Sequence, residues 1–134
     1  MTEFLERLER RLLALDARWG LGSEEAFKEK AREYLEKELG LRIERWEGFD
    51  EGGLVYGYPR RVEADIAIQD GKVVLMEIKA HANASDVATF KRKAELYERL
   101  EGERPSGLVL VTPYIEEDGL RAAKHMGMEV YTKV

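Results

Sequence analysis

Glu77 and Lys79 stand two residues apart in Val73-Val74-Leu75-Met76-Glu77-Ile78-Lys79-Ala80, a run that reads as a strand. Alternation puts both on one face, with Met76 and Ile78 on the other. Ionised groups beside a core are costly unless paired or metal-bound, so an acid and a lysine on one strand form a loaded pair. A second carboxylate, Asp65, lies in the preceding strand, where Val62, Ala64, Ile66 and Ile68 share one face and Glu63, Asp65 and Ala67 the other. Two neighbouring carboxylates hold a hard divalent cation or raise the pKa of one of them. With no cysteine and two histidines in the chain, oxygen ligands suit Mg²⁺ or Mn²⁺ rather than Zn²⁺. Such a cation clamps a phosphate and activates water for in-line attack, and a lysine beside it orients the water or neutralises developing charge.

Whether Asp65 joins Glu77 depends on the turn between the strands. A two-residue turn at Asp70-Gly71 sets Asp65 opposite Met76 and takes its carboxylate off the face of Glu77. A three-residue loop, Asp70-Gly71-Lys72, pairs Asp65 with Glu77 directly and gathers Ile66, Ile68, Val74, Met76 and Ile78 on one apolar face. Glycine second in such a loop calls for a bulge. The hydrophobic pattern favours the three-residue register.

The elements around these strands follow from periodicity and punctuation. Leu5, Leu8, Leu12 and Leu15 recur at heptad-like spacing between charges, which predicts an amphipathic helix over Glu3 to Arg18. That helix packs on the chain's own core or forms a dimer seam. Gly20-Leu21-Gly22 breaks it, Ser23 caps the next, and a second helix runs from Glu24 to about Leu39, stopped by Gly40. Phe27, Ala31, Tyr34 and Leu35 mark its buried side. Glu24 shares that side at about 100° per residue, while Glu25 points nearly opposite and Glu38 shares the orientation at the far end. Leu41 to Trp46 alternates as a strand, and Gly48 to Gly57 forms a glycine-rich connection. Ser85 caps a third helix reaching about Leu100, with Val87, Phe90, Ala94 and Tyr97 inward. Pro105-Ser106-Gly107 leads to Leu108–Val111, a continuous apolar run typical of a buried parallel strand. A helix from about Glu116 to His125 and a strand from Met128 to Lys133 complete the order α-α-β-β-β-α-β-α-β. One mixed α/β sheet covered by helices results, with the N-terminal helix at residues 1–22 and the folded domain at residues 23–134.

Composition sets the outer limits. The 134 residues fit one such domain, and the 44% hydrophobic content suffices for a core. The longest apolar runs are far too short to cross a bilayer, and leucine alternating with charge over the first 18 residues excludes a secretory signal. A soluble cytoplasmic protein without a membrane partner is expected. The net charge of −5, from 22 basic and 27 acidic residues, argues against a surface that is basic throughout, though not against a local basic groove. Rich mixed-sign charge without cysteine suits a heat-adapted (thermophile) protein.

Asp65 followed on the next strand by Glu77-Ile78-Lys79 resembles the PD-(D/E)XK nuclease superfamily, whose restriction-endonuclease-like core runs α-β-β-β-α-β. The resemblance covers Ser23 to about Val111, and the last helix and strand form a C-terminal αβ extension. Ala17-Arg18-Trp19-Gly20 leading to Ser23-Glu24-Glu25-Ala26-Phe27 is similar to a largely archaeal family of nuclease-like proteins, which often carry a helical segment before the core. The resemblance implies Asp65 and Glu77 as metal ligands, the Ile78 carbonyl as a third, and Lys79 beside the nucleophilic water. Members often add a glutamate from the first core helix, and Glu24 fits by position and phase. Ala64 stands where the pattern has proline.

The implied activity is Mg²⁺- or Mn²⁺-dependent hydrolysis of phosphodiester bonds in nucleic acid, with DNA a family-level expectation. A homodimer would bring two sites to two strands. The alternative is a catalytically silent nuclease-fold module that binds nucleic acid or a protein. A helical-dimer adaptor built on the first helix ranks third. Arg60 and Arg61 before the Asp65 strand, and Lys91-Arg92-Lys93 on the third helix, are candidate phosphate contacts, although basic clusters are more often solvated faces. Trp19, Trp46, Tyr56 and Tyr58 could stack on bases, with packing or loop anchoring the commoner use. His81 falls at the rim of the site and His125 near a helix C-terminus.

Overall fold

Three buried side chains one turn apart, Phe27, Ala31 and Leu35, give the first helix its apolar stripe. This helix, α1 (Glu24–Leu39), carries acids in its first turn and Lys37 in its last, matching the helix dipole. Gly40 ends it with φ 66°, a left-handed conformation that suits glycine. The computed structural model describes residues 24–131, apart from the side chains of residues 38 and 39. The expected N-terminal helix, its leucines, Trp19 and the Ser23 cap lie outside those residues, as do the last residues of the expected final strand.

The elements that follow are β1 (Arg42–Asp50), β2 (Arg60–Gln69), β3 (Lys72–Ile78), β4 (His81–Ala82), α2 (Ala84–Glu101), β5 (Gly107–Val111), β6 (Tyr114–Ile115), α3 (Glu117–His125) and β7 (Glu129–Tyr131). The main sheet has the order β1-β2-β3-β5-β7. β1, β2 and β3 are antiparallel neighbours, and β3, β5 and β7 are parallel ones. The run Gly107–Val111 is thus the buried parallel strand its unbroken apolar sequence implies. Short β4 and β6 form a separate parallel pair, because the strand expected to run to Ala80 leaves the main sheet after Ile78. No helix among the described residues is long and apolar enough to cross a membrane.

Helices cover both faces of this sheet. Phe27, Ala31 and Leu35 of α1 pack on Ala67, Met76, Ile78, Val109 and Val111. On the other face, Val87, Phe90 and Ala94 of α2 and Ala123 of α3 pack on Val62, Ala64, Leu75 and Leu110. This double burial decides a point the alternation of β2 and β3 leaves open. Asp65 pairs with Met76 and Gln69 with Lys72, so the turn is the two-residue Asp70-Gly71 and the three-residue loop is not formed. The expected single apolar face is correspondingly split: Ile66 and Val73 lie against the α2 side, and Val74, Met76 and Ile78 against the α1 side. With apolar residues wanted on both faces, either register buries them, and turn chemistry prevails. Asp70 and Gly71 both adopt positive φ, 53° and 75°, the signature of the type I′ turn that Asp-Gly favours between twisted strands.

Two further boundaries move for local reasons. β1 continues through Gly48 to Asp50 instead of stopping near Trp46, with Gly48 paired to Val62. A Cβ on Gly48 would meet Leu100 at 2.6 Å and the Trp46 ring at 2.9 Å, so glycine here admits a packed side chain and does not loosen the strand. The cap of α2 is Asn83 and not Ser85: its side chain accepts from the Asp86 N–H at 2.9 Å, and Asp86 accepts from the Asn83 N–H at 3.0 Å, a reciprocal capping box.

Candidate active site

The site begins where two strands part. Pairing between β2 and β3 ends at Asp65 and Met76. Beyond that point β2 continues along β1 as far as Arg60, while β3 continues along β5 to Ile78. A groove of about 280 Å³ opens there, lined by Glu63, Ala64 and Asp65 from β2 and by Glu77 and Ile78 from β3. Divergence of the strands therefore does what the expected direct pairing of Asp65 with Glu77 does not. The two carboxylates belong to opposite faces of the hairpin, yet both reach one groove.

Each is buried and each has a cation. Asp65 is 6% exposed and accepts a hydrogen bond from Arg32 Nε of α1 at 3.1 Å. Glu77 is 9% exposed, and its oxygens lie 3.1 and 3.3 Å from Lys93 Nζ of α2, itself 7% exposed. These pairs offset the desolvation of charges so deep in the protein. Arg32 is absent from the expectations drawn from sequence, and Lys93 enters them only as a phosphate contact. The signal for Lys93 was present: it lies three residues after Phe90 and four before Tyr97, on the inward stripe of α2. Arg32 follows Glu25 and Lys28 at helical spacing, and all three line the groove.

The remaining expected residues divide. Ile78, Arg60 and Arg61 line the groove, and Lys91 does not. Arg61 pairs with Glu47 at 2.9 Å. Arg92 has a structural task, donating to the Val55 carbonyl at 2.9 Å and the Thr89 hydroxyl at 3.2 Å. Lys79 and Glu24 stand just outside the groove and together: Lys79 Nζ lies 3.8 Å from Glu24 and 3.6 Å from Asp86. Glu24 turns toward the sheet, as its phase predicts, and both its oxygens accept from the Ala80 N–H, at 3.0 and 2.6 Å. Glu25 lines the groove despite pointing away from the apolar stripe. His81 lies 3.2 Å from Glu116, outside the groove. Trp46 is buried, donates to Glu101 at 3.0 Å and meets the Tyr97 ring edge-on; it is core.

Lys28, Arg32, Arg45, Arg60, Arg61 and Lys93 oppose four acids, Glu25, Glu63, Asp65 and Glu77, around this groove. The local balance is basic on a chain whose net charge is −5. Such a groove attracts a polyanion despite the acidic whole. The donor set also fits a hard cation: two buried carboxylates and the Ile78 peptide border one cavity, with neither thiol nor imidazole among its lining residues. Among the described residues no three acidic or histidine side chains converge closely enough to hold a metal by themselves. Asp65 and Glu77 would hold it together with backbone, water or phosphate oxygens, as is usual for Mg²⁺.

The comparisons with known proteins bear on the family and the fold. A family model for the PD-(D/E)XK nuclease superfamily matches residues 60–129, just over half of the chain. Residues 1–59 match a family described as a protein of unknown function. No curated protein matches by sequence. Among solved structures, apo EndoMS superposes with a TM-score of 0.55 at 19% identity, over 78% of this chain and 44% of its own. A repair endonuclease from Pyrococcus abyssi gives 0.55 at 22% identity, over 84% and 47%. An EndoMS–dsDNA complex gives 0.54 at 21% identity, over 84% and 45%. The chain spans less than half the length of these structures, and such identities speak for the fold. The family match contains the groove's Asp65, Glu77 and Lys93 and the neighbouring Lys79, and on that match the chain belongs to the PD-(D/E)XK nuclease superfamily.

Proposed function

We propose that this protein hydrolyses phosphodiester bonds in DNA with a divalent cation, Mg²⁺ or Mn²⁺, held by Asp65 and Glu77. The observation that carries the reading is the groove at the parting of β2 and β3, where two buried carboxylates meet a basic rim. DNA as the polymer is supported by a neighbour of the same fold solved with double-stranded DNA. A cation bound there would supply a Lewis acid and a water of lowered pKa. The chain's own residues do the rest. Arg45, Arg60, Arg61 and Lys28 bind the phosphates and set the strand's direction. Arg32 and Lys93 pair with the two carboxylates and would face a bound phosphate with their charge. Lys79 orients the attacking water, as its place in the motif implies. Glu24 fixes the Ala80 peptide and Lys79 at the end of β3, and so positions that lysine. A homodimer would present two such grooves to two strands, which sedimentation at several concentrations would test.

One observation favours a second reading, a module that binds without cutting. Both carboxylates already have cationic partners, Lys93 buried and Arg32 half-buried, so neither needs a metal to be tolerated. Calorimetric titration with Mn²⁺, wild type against Asp65→Ala and Glu77→Ala, followed by a plasmid-nicking assay, separates the two. Binding and nicking lost together in both variants supports hydrolysis. A folded wild type that binds DNA but neither takes up Mn²⁺ nor nicks sinks it.

A further inference from the structure

The connection between β1 and β2, residues 51–59, holds two exposed aromatic rings at the mouth of the groove. Tyr56 is 39% exposed and lines the groove; Tyr58 is 55% exposed. Single exposed aromatics are ordinary on protein surfaces. These two are not on a slack loop. Asp50, 1% exposed, accepts from the N–H groups of Leu54 at 3.0 Å and Val55 at 2.8 Å. Val55 is 1% exposed and plugs the core, and Arg92 of α2 clamps its carbonyl. The Gly57 N–H donates to the Gly53 carbonyl at 3.0 Å. Gly53 has φ 66°, and a Cβ there would lie 2.8 Å from the Tyr58 nitrogen, so the loop folds tightly back on itself. A buried carboxylate, a core plug and an arginine clamp thus hold the loop in place while its tyrosines face outward.

The third member of this group is Arg60. Its guanidinium carbon stands 4.5 Å from the centroid of the Tyr56 ring, within cation–π distance. Its Nε donates to the Arg61 carbonyl at 3.1 Å, and Nη1 lies 3.5 Å from the Tyr58 hydroxyl. Among the described residues no carboxylate pairs with Arg60. A planar cation and two aromatic rings, preordered beside a groove suited to phosphates, match an unpaired nucleotide: a base to stack and a phosphate to neutralise. A fully paired duplex keeps its bases stacked inside and offers a ring face only at its two ends.

We infer that Tyr56, Tyr58 and Arg60 form a stacking site for an unpaired DNA base next to the cleavage groove, so that the preferred substrate is single-stranded or carries unpaired nucleotides. This deepens the nuclease reading and rests on it for the groove's role. The site itself is tested without cutting.

Fluorescence anisotropy in EDTA is measured with a labelled oligothymidine and with a blunt duplex of equal length. The Tyr56→Ala/Tyr58→Ala variant is expected to weaken oligothymidine binding roughly tenfold or more, and duplex binding by less than about twofold on the same ground. The double phenylalanine variant keeps the rings and is expected to bind both strands as wild type does. Stacking is largely independent of salt, so the alanine variant keeps the wild-type salt slope, whereas Arg60→Ala loses about one unit of it. Unchanged oligothymidine affinity in the alanine variant, or equal loss on both DNAs, overturns the inference. Because no metal is present, the outcomes separate. Nicking without tyrosine dependence overturns only this site, and tyrosine-dependent binding without nicking overturns only hydrolysis.

Discussion

The two carboxylates of the groove are held in different ways. Glu77 and Lys93 are a closed pair under α2, with side chains 11% and 9% exposed. Asp65, its side chain 9% exposed, meets Arg32 from the middle of α1, and there the arginine is 21% exposed. Losing a partner inside a closed pair leaves a charge that neither water nor protein can solvate well. At the open pair water can enter. Both carboxylates are about equally buried, and the pairs differ in the cation, which is enclosed for Glu77 and reachable by solvent for Asp65. Within one groove the protein thus holds one acid by an enclosed cation and the other by a cation that solvent reaches.

The largest expected effect breaks the closed pair. Lys93→Met should lower stability by about 3 kcal/mol or more, read by urea denaturation, and adding Glu77→Gln should recover most of the loss. A single-variant cost no greater than that of Arg32→Met would remove the distinction between the two pairs. At the open pair, Arg32→Met should cost about 1.5 kcal/mol, and Mn²⁺ should bind this variant more tightly because a competing cation is gone. A still smaller effect probes the hairpin that carries both acids. Gly71→Ala has open space for its methyl group, so the strain of φ 75° alone should cost about 1 kcal/mol. Lys79→Met should change stability least, by under about 1 kcal/mol, since its partly exposed ion pairs lie at 3.6 and 3.8 Å. Under the hydrolysis reading the same variant should slow nicking by about a hundredfold, which sets chemistry apart from stability at one residue.

Much of this arrangement is legible in the sequence. The order of helices and strands follows from periodicity, because Phe27, Ala31 and Leu35, or Val87, Phe90, Ala94 and Tyr97, have no other way to be buried together. Asp65 and Glu77 are visible as misplaced charges on apolar strands. Register is different. β2 and β3 are buried on both faces, so their alternation does not distinguish one alignment from its neighbour, and the left-handed backbone of Asp70 and Gly71 makes the choice. The apolar pattern alone therefore favours a three-residue loop, where the backbone forms the two-residue turn. The partners of the carboxylates were hidden for another reason: Arg32 and Lys93 come from different helices, 33 and 16 residues away from the acids they meet. Each looks like one more surface cation until the sheet closes. Tyr56 and Tyr58 could be named as aromatics, but their exposure depends on the Asp50 and Arg92 contacts that fix the loop.

That loop also has a bearing on proteolysis. Residues 51–59 form the longest stretch between described elements and display Tyr56, which would ordinarily mark an early chymotrypsin cut, while Pro59 protects the bond after Tyr58. A protease needs the backbone drawn out and extended. Here extraction would strip Asp50 of its two donors, pull Val55 from the core and unlatch Arg92, all contacts that the folded domain shares. Nicking at Tyr56 should therefore track opening of the whole domain and not local fraying, making the digestion rate a gauge of its global stability.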